Sequence, residues 1–312
     1  MTACGADPRD GVKMKALATA ALAVIVLVVA GALSACSPLA LVNAVSPGGT
    51  ARSIATTAYG PDPRHTLSIY RPEKGADKAP VIVFFYGGNW SSGERDDYEF
   101  VGRSLAARGF VVVIPDVRLY PKASYPAFLD DSARAVAWTS RRIAQYGGDP
   151  KRIFALGHSA GAYNVAMLAL DARWLRKQGS GPAILRGWIG MAGPYNFLPI
   201  EDDTTRKVFH YPDTPRDSQP INHVSALAPP TLLITARNDK TVEPVRNTGA
   251  LADKLRAAGV PVREVMYDNV NHATLVATLS SSLRRLAPSL DAIDDFVRSD
   301  GGRKPVRPVK SD

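Results

Sequence analysis

The stretch Gly157-His158-Ser159-Ala160-Gly161 decides the fold, because it joins a predicted buried strand to a predicted helix. The run Arg152-Ile153-Phe154-Ala155-Leu156 precedes it and has the apolar character of a short buried strand. Residues 163–170 follow it with apolar side chains at helical spacing. A serine between two glycines at such a junction predicts a nucleophile elbow, a tight turn that tolerates only small neighbours and projects the serine hydroxyl from the sheet.

The pentapeptide is a weak signal by itself, since a flexible Gly-Ser turn has the same composition. Other segments strengthen it because they follow in a consistent order. Residues 81–85 form a continuous apolar run, typical of a strand buried on both faces, and lead directly into Tyr86-Gly87-Gly88-Asn89-Trp90. Residues 231–235 predict another buried strand, and residues 262–267 predict a further one.

Three side chains follow the ends of these strands in the order serine, aspartate, histidine. Ser159, Asp239 and His272 each lie just beyond the carboxyl end of a predicted strand, and such ends meet at one edge of a parallel sheet. A serine hydroxyl is a weak nucleophile at neutral pH and needs a nearby base. His272 can take its proton through one ring nitrogen while Asp239 holds the other. We therefore predict a catalytic triad.

Two members of this triad, Asp239 and His272, have competitors. Glu243 and Asp268 compete with Asp239, but Glu243 begins a predicted helix and Asp268 is too close to the strand that carries His272. His158 lies beside the nucleophile on the same strand, so we interpret it as a packing residue. The remaining histidines lie in segments with no predicted structure.

The tetrahedral intermediate of acyl transfer needs hydrogen-bond donors that are already in place. We assign this role to the backbone N–H groups of Gly88, Asn89 and Ala160. Large side chains near these donors suggest a substrate pocket lined by Trp90, Tyr195 and Phe197, although packing in the core or lid explains them equally well.

Strands that alternate with helices along residues 51–300 predict one α/β domain with a doubly wound, mainly parallel sheet. The predicted helices include one over residues 127–146 and one over residues 243–258. Within it, residues 195–224 have little periodicity and many Pro, Asp and Thr residues, which indicates a small lid insertion. Residues 301–312 are basic and rich in Gly and Pro, and we predict a disordered tail.

Residues 1–36 have the pattern of a targeting segment. Two lysines precede an apolar stretch that ends in Leu33-Ser34-Ala35-Cys36, which resembles the bacterial lipobox with Cys36 as the lipidated residue. Residues 37–50 then form a tether. These features predict a protein that is lipid-anchored in the bacterial cell envelope, at the outer membrane or the periplasmic face. A single N-terminal transmembrane anchor is the alternative.

Charge and cysteine content argue against several other classes. The formal net charge is +9, but the basic residues are scattered and form no stripe along a helix, so we expect no nucleic-acid partner. The chain has two cysteines, Cys4 and Cys36, and neither lies in the predicted domain. With no Cys/His cluster in the sequence, we expect neither a metal nor a cofactor.

With these residues identified, residues 66–297 resemble the α/β-hydrolase superfamily, in particular carboxylesterases of the hormone-sensitive-lipase type and the esterase/arylformamidase-like group. The resemblance lies in the elbow, the Gly87-Gly88 turn, Ala236-Arg237-Asn238-Asp239-Lys240-Thr241-Val242 and Asn271-His272. It departs at Tyr86 and Asn89, where the family usually has His and often a third Gly.

The resemblance implies a serine carboxylesterase that cleaves small or aromatic acyl esters through an acyl-serine intermediate, with a small-molecule ester as its partner. An amidase-type hydrolase of the same fold, such as an arylformamidase or a peptidase, is the first alternative. A catalytically silent binding lipoprotein is the second.

Overall fold

The computed structural model describes residues 51–72 and 77–304, together with Leu39, Val42, Asn43 and Ser46. The chain divides into two compact units, residues 1–41 and 42–312, and the α/β domain lies in the second. The predicted signal segment, Cys36 and most of the predicted tether lie outside the described residues. In the part of the chain that is described, no helix combines the length and the apolar character that a bilayer crossing requires.

Eight strands form one sheet in the order β1-β2-β4-β3-β5-β6-β7-β8. The pairs β1/β2 and β2/β4 are antiparallel, and every other neighbouring pair is parallel. The strands are β1 (Ala51–Ala58), β2 (Thr66–Pro72), β3 (Ala79–Phe85), β4 (Val111–Pro115), β5 (Gly148–His158), β6 (Leu185–Met191), β7 (Thr231–Ala236) and β8 (Val262–Tyr267). The sheet is therefore mainly parallel, as the sequence predicts.

Helices connect the parallel strands because such strands need a crossover between them. They are α1 (Glu99–Ala107), α2 (Ala127–Arg142), α3 (Ala160–Leu170), α4 (Ala172–Lys177), α5 (Asp203–Val208) and α6 (Ala250–Ala257). Two more helices, α7 (His272–Ala277) and α8 (Ser289–Arg298), follow β8. The predicted α/β class with a doubly wound sheet is confirmed by this alternation of strands and helices.

The register of the central strands brings three chain segments to one edge of the sheet. Phe85 at the end of β3 pairs with Gly157 near the end of β5, and His158 of β5 pairs with Met191 at the end of β6. The loops that follow β3, β5 and β6 consequently begin side by side. Strands β3 and β4 are buried almost throughout, as expected of central strands covered on both faces.

Three predicted helix boundaries differ from the structure. The helix predicted from residue 163 begins at Ala160, directly after the elbow serine. The helix predicted over residues 127–146 is α-helical to Arg142 and ends in a 3₁₀ turn, Ile143–Tyr146. The helix predicted over residues 243–258 begins with one π-helical turn, Val245–Gly249, in which Gly249 N–H donates to Pro244 O at 2.9 Å.

The segment predicted as a lid, residues 195–224, contains α5 and two 3₁₀ turns, Arg216–Ser218 and Pro220–His223. The predicted tail begins with a turn over residues 301–304, and Arg303 donates from Nη1 to Arg186 O at 2.7 Å. Asn43, in the predicted tether, accepts a 2.9 Å hydrogen bond from Phe100 N–H. Both ends of the described chain are thus tied to the domain.

Candidate active site

The turn after β5 has the geometry of a nucleophile elbow. Ser159 has φ 55° and ψ −123°, a left-handed backbone that costs a non-glycine residue about 1–2 kcal/mol. A Cβ on Gly157 would lie 2.3 Å from Gly161 O, and one on Gly161 would lie 2.0 Å from Phe85 O. Both positions therefore require glycine, because the neighbouring backbone leaves no room for a Cβ. The same close contacts hold the strained Ser159 at the edge of the sheet.

The three predicted triad residues form one chain of hydrogen bonds. His272 Nε2 lies 2.8 Å from Ser159 Oγ, and His272 Nδ1 lies 2.7 Å from Asp239 Oδ2. A carboxylate only accepts, so Nδ1 carries the proton and Nε2 is free to accept the serine hydrogen. His272 is the first residue of α7, and the preceding Asn271 caps that helix by accepting from Thr274 N–H. The cap fixes where the imidazole enters the site.

Asp239 is held as a carboxylate. Burial tends to raise its pKa, but the hydrogen bond from His272 and those from two backbone N–H groups together lower the pKa below its ordinary value. Those N–H groups belong to Thr241 and Val242, which donate to Oδ1 at 2.8 and 2.9 Å. Its competitors lie elsewhere: Glu243 accepts from the backbone N–H of Val245, and Asp268 pairs with Arg237 on the surface.

His158 does more than pack beside the nucleophile. Its Nε2 lies 3.0 Å from His272 O, and a carbonyl only accepts, so Nε2 carries the proton and donates. Burial, followed by repulsion from His272, lowers the pKa of His158 to about 3. This neutral imidazole therefore fixes the backbone of the residue whose side chain contacts Ser159. The sequence offers no sign of the contact beyond the position of His158 next to the serine.

The loop after β3 has an unusual backbone. Gly88, Asn89 and Trp90 have φ values of 120°, 51° and 55°, so three consecutive residues lie at positive φ. Ser91 N–H and Ser92 N–H both donate to Gly88 O at 3.0 Å. Asn89 and Trp90 line the same cavity as Ser159 and Ala160. The loop that carries two of the predicted oxyanion donors therefore borders the nucleophile.

Tyr86, where the chain departs from the usual histidine, lies in a buried polar network below this loop. Its hydroxyl donates to Asp116 Oδ1 at 2.6 Å and accepts from Arg64 Nη2 at 2.9 Å. The same Arg64 nitrogen donates to Gly93 O at 2.8 Å. Arg64 thus joins the two ends of the loop, and Asp116 also pairs with Arg95. Tyr86 supports the loop and does not face the cavity.

The sequence analysis did not identify the hydrogen bond that holds the side chain of Trp90. The indole N–H donates to Asn164 Oδ1 at 3.0 Å, and Tyr120 N–H donates to Trp90 O at 2.8 Å. Asn164 is a buried amide in the otherwise apolar helix α3, and an amide in such a helix is a signal that sequence inspection could have used.

A cavity of about 440 Å³ opens above Ser159. Two of the three residues predicted to line a pocket, Trp90 and Phe197, do so. Tyr195 does not. It is completely buried, its ring lies edge-on to Trp188 at 6.1 Å, and its backbone N–H donates to Asn247. The turn at Gly193-Pro194 directs Tyr195 into the core, a contact that residue type alone does not indicate.

The rest of the cavity wall comes from the end of the loop before the lid, from the lid, and from the loop after β7 together with the π-helical turn that follows it. The polar ones include side chains of both charges, and the apolar ones continue the surface of Trp90; they are Pro194, Pro199, Ile200, Glu201, Asp202, Thr205, Lys240, Thr241, Val242, Glu243, Arg246 and Asn247. Within residues 51–72 and 77–304, no group of three acidic, histidine or cysteine side chains has the arrangement of a metal site.

The comparison with family models identifies the group to which this architecture belongs. Residues 67–255 match the model of the BD-FAE family. The chain belongs to the BD-FAE family. This member has the α/β-hydrolase fold of carboxylesterases and lipases. The match includes the loop after β3, the elbow and Asp239, and ends before His272.

Curated relatives of this BD-FAE protein are named as esterases. Carboxylesterase NlhH of Mycobacterium tuberculosis is 30% identical over 252 residues, which cover 70% of this chain and 75% of the relative. The probable isoprenylcysteine α-carbonyl methylesterase ICMEL1 of Arabidopsis thaliana is 26% identical over 240 residues, which cover 70% of this chain. The chain spans about half the length of this methylesterase, since the alignment covers 50% of it.

Solved structures share the fold. An inhibited esterase B from Lactobacillus rhamnosis has a TM-score of 0.71 and 20% sequence identity, with 90% of this chain and 98% of that chain covered. At this identity the likeness concerns the fold alone. It extends over nearly the whole α/β domain.

Proposed function

We propose that this protein is a serine carboxylesterase. The observation that carries the proposal is the unbroken chain of hydrogen bonds from Asp239 through His272 to Ser159 at the base of a cavity. Esterase names among its relatives agree with this chemistry. A Ser-His-Asp chain of this geometry activates an alcohol for attack on a carbonyl carbon.

In the proposed reaction, Ser159 Oγ attacks the acyl carbon of an ester while His272 Nε2 takes its proton. The carbonyl oxygen becomes an oxyanion, for which we assign the N–H groups of Gly88, Asn89 and Ala160 as donors. His272 then gives the proton to the departing alcohol, leaving an acyl-serine. Water, deprotonated by the same imidazole, attacks the acyl carbon and releases the carboxylic acid and the free serine. Asp239 stabilises the imidazolium that forms in both halves.

The cavity favours small or aromatic acyl groups. Its volume of about 440 Å³ falls at the lower end of the range for small-molecule sites. Trp90 and Phe197 supply aromatic surface beside Ser159, while Glu201, Asp202, Lys240 and Arg246 give the remaining wall a polar character. We therefore expect the acyl group of the substrate to be apolar and to contact the aromatic part of the wall. The alcohol group is expected to be polar and to contact the charged part.

A fluorophosphonate probe tests the mechanism on the full chain. We expect the wild type to be labelled at Ser159 and the Ser159→Ala variant to remain unlabelled. Absence of labelling in a folded wild type would identify a catalytically silent binding protein instead. Comparison of short-chain nitrophenyl esters with formyl-anilides then tests the class of substrate. Rapid anilide hydrolysis with negligible ester hydrolysis would overturn the esterase assignment in favour of an amidase.

We propose further that the protein is anchored in the bacterial cell envelope through a lipid on Cys36, which the Leu33-Ser34-Ala35-Cys36 motif supports. Metabolic labelling with a tritiated fatty acid, followed by fractionation, tests this. We expect the label in wild type and none in Cys36→Ser. An unlabelled wild type that stays in the membrane fraction would favour the transmembrane anchor.

A further inference from the structure

The loop after β3 and the predicted lid are joined by the side chain of Asn89. Its Nδ2 donates to Asp202 Oδ1 at 2.8 Å, and its Oδ1 accepts from Thr205 Oγ1 at 2.8 Å. The amide orientation is fixed, because turning it over would place its oxygen against the Asp202 carboxylate. Asn89 occupies the position where the resembling family often has glycine. The departure from the family pattern therefore supplies a contact that glycine cannot make.

The partners of Asn89 lie at the start of α5. Asp202 caps this helix, and its Oδ1 also accepts from Thr205 N–H at 2.7 Å. Thr205 Oγ1 lies 2.8 Å from Asp202 Oδ1 as well, so the two acceptors, Asn89 Oδ1 and Asp202 Oδ1, share its single proton. Burial tends to raise the pKa of Asp202. The hydrogen bonds from Thr205 and Asn89 together have the larger effect, so the pKa of Asp202 lies below its ordinary value. Thr205 is 8% exposed and therefore buried, whereas Asp202 is exposed. The contact with Thr205 is thus the better shielded of the two, and removing its hydroxyl leaves the Asn89 oxygen unpaired.

The first residues of the lid are attached to the other side of the cavity. Asn247 Oδ1 accepts from Tyr195 N–H at 2.8 Å and from Asn196 N–H at 2.9 Å, and Arg246 donates to Leu198 O. The lid therefore spans the cavity from the π-helical turn to the loop after β3. Asn89 provides directional contacts between the lid and the loop after β3, and the rings of Trp90 and Phe209, 4.9 Å apart, provide an apolar contact.

We propose that Asn89 is a positioning residue whose side chain couples the closed lid to the geometry of the oxyanion-binding loop. This inference rests on the proposed esterase function. At φ 51° the Asn89 backbone is strained for a residue with a side chain, so its position depends on outside contacts. In this arrangement Asp202 and Thr205 hold the Asn89 side chain, and with it the backbone N–H groups of Gly88 and Asn89.

The test uses Asn89→Gly, Thr205→Val and the double variant, each in the full chain with nitrophenyl acetate as substrate. Asn89→Gly keeps the backbone N–H and relieves the positive φ, and the Trp90 contacts remain, so the fold should persist. We expect kcat to fall about tenfold, less than the loss of a whole oxyanion donor, with KM changed less than about twofold. Thr205→Val should lower kcat about threefold, and the double variant should match Asn89→Gly.

Two further variants and a second readout separate positioning from a general loss of structure. Asn222→Gly makes the same substitution at an exposed lid position whose side chain contacts Arg216 O, and should leave kcat unchanged. Thr205→Ser keeps the hydroxyl and should restore most of the activity that Thr205→Val loses. Trypsin should cleave after Arg206 and Lys207 faster in Asn89→Gly than in the wild type or Asn222→Gly.

An unchanged kcat in a folded Asn89→Gly protein would overturn the proposal, and so would an effect on KM alone. Effects of Asn89→Gly and Thr205→Val that multiply in the double variant would also overturn it, because a shared contact can be lost only once. Failure of the proposed function looks different. The wild type itself would then neither react with fluorophosphonate nor hydrolyse the ester, whatever residue occupies position 89.

Discussion

The two sides of the cavity are built in different ways. On the elbow side, Gly157, Ser159 and Gly161 lie within five residues of one another, and backbone contacts with β3 define their positions. On the lid side, Asn89 and Asn247 come from distant parts of the chain, and each holds the lid through its side chain. Asn89 bonds to Asp202, and Asn247 accepts from the backbone N–H groups of Tyr195 and Asn196.

The two sides of the cavity therefore differ in how tightly they fix the positions of their atoms. A backbone contact at van der Waals distance has almost no freedom, so the elbow presents its hydroxyl in one place. Side-chain hydrogen bonds to water-accessible partners contribute about 1 kcal/mol each and can be exchanged for water. We therefore expect changes on the elbow side to abolish activity or folding, and changes on the lid side to reduce them by degrees.

Replacing the nucleophile should give the largest effect. Ser159→Ala removes the attacking oxygen, and we expect kcat to fall by about 10⁴- to 10⁶-fold. The melting temperature should change little, because alanine fits the space and His272 keeps its bond to Asp239. Ester hydrolysis with purified protein and a thermal melt measure the two. Residual activity above about one hundredth of the wild type would remove Ser159 from the mechanism.

Substitution of an elbow glycine should come next. A Cβ at Gly161 would lie 2.0 Å from Phe85 O, so Gly161→Ala must displace β3 or the elbow, and we expect about 3 kcal/mol of destabilisation or more. Gly181→Ala is the matched control, since nothing lies within 4 Å of its Cβ position. Urea unfolding of both variants measures the difference. Equal stabilities would contradict the backbone-contact account of the elbow.

A lid anchor should have a smaller effect. Asn247→Ala leaves the N–H groups of Tyr195 and Asn196 without their acceptor in a buried position, and we expect about 2 kcal/mol of destabilisation together with a raised KM. Asn222→Ala removes an exposed amide from the same segment and should change the free energy of unfolding by less than about 0.5 kcal/mol. If the two alanine variants unfold alike, Asn247 does not anchor the lid.

The last effect concerns pH, and it is the smallest when expressed per pH unit. The pKa of His158 is lowered to about 3 in the folded protein, so between pH 6.5 and 4.5 the unfolded chain binds a proton there that the folded one does not. Stability should therefore fall as the pH falls, with this group contributing up to about 1.4 kcal/mol per pH unit. His158→Gln keeps a donor for His272 O without titrating. Urea unfolding at several pH values should give a shallower slope for this variant, and identical slopes would show that His158 titrates normally.

Local sequence was sufficient for the elbow side of the site. The spacing of Gly157, Ser159 and Gly161 between a strand and a helix predicts the turn, and the order of strands predicts that Asp239 and His272 reach the same edge. The structure places the imidazole of His272 between the other two side chains. The reason is that parallel strands deliver their carboxyl ends to one edge, whatever the detailed packing.

The sequence predicted fewer of the contacts on the lid side. Residue type suggested Tyr195 as a pocket residue, yet it is buried against Trp188, and the amides of Asn164 and Asn247 were not identified. Nothing in the periodicity of residues 195–224 indicates which backbone N–H groups will need an acceptor. These contacts depend on how an irregular segment crosses the cavity.

The sequence by itself determined the class of fold, the strained turn at Ser159 and the set of residues that can form the triad, because strand periodicity and glycine spacing are local properties of the chain. Only the tertiary structure decided that His158 supports the backbone of His272, that Tyr86 ties into a network with Arg64, and that Asn89 reaches the lid. A side-chain hydrogen bond requires an alignment within tenths of an ångström between residues far apart in sequence, and only the packed chain sets that alignment.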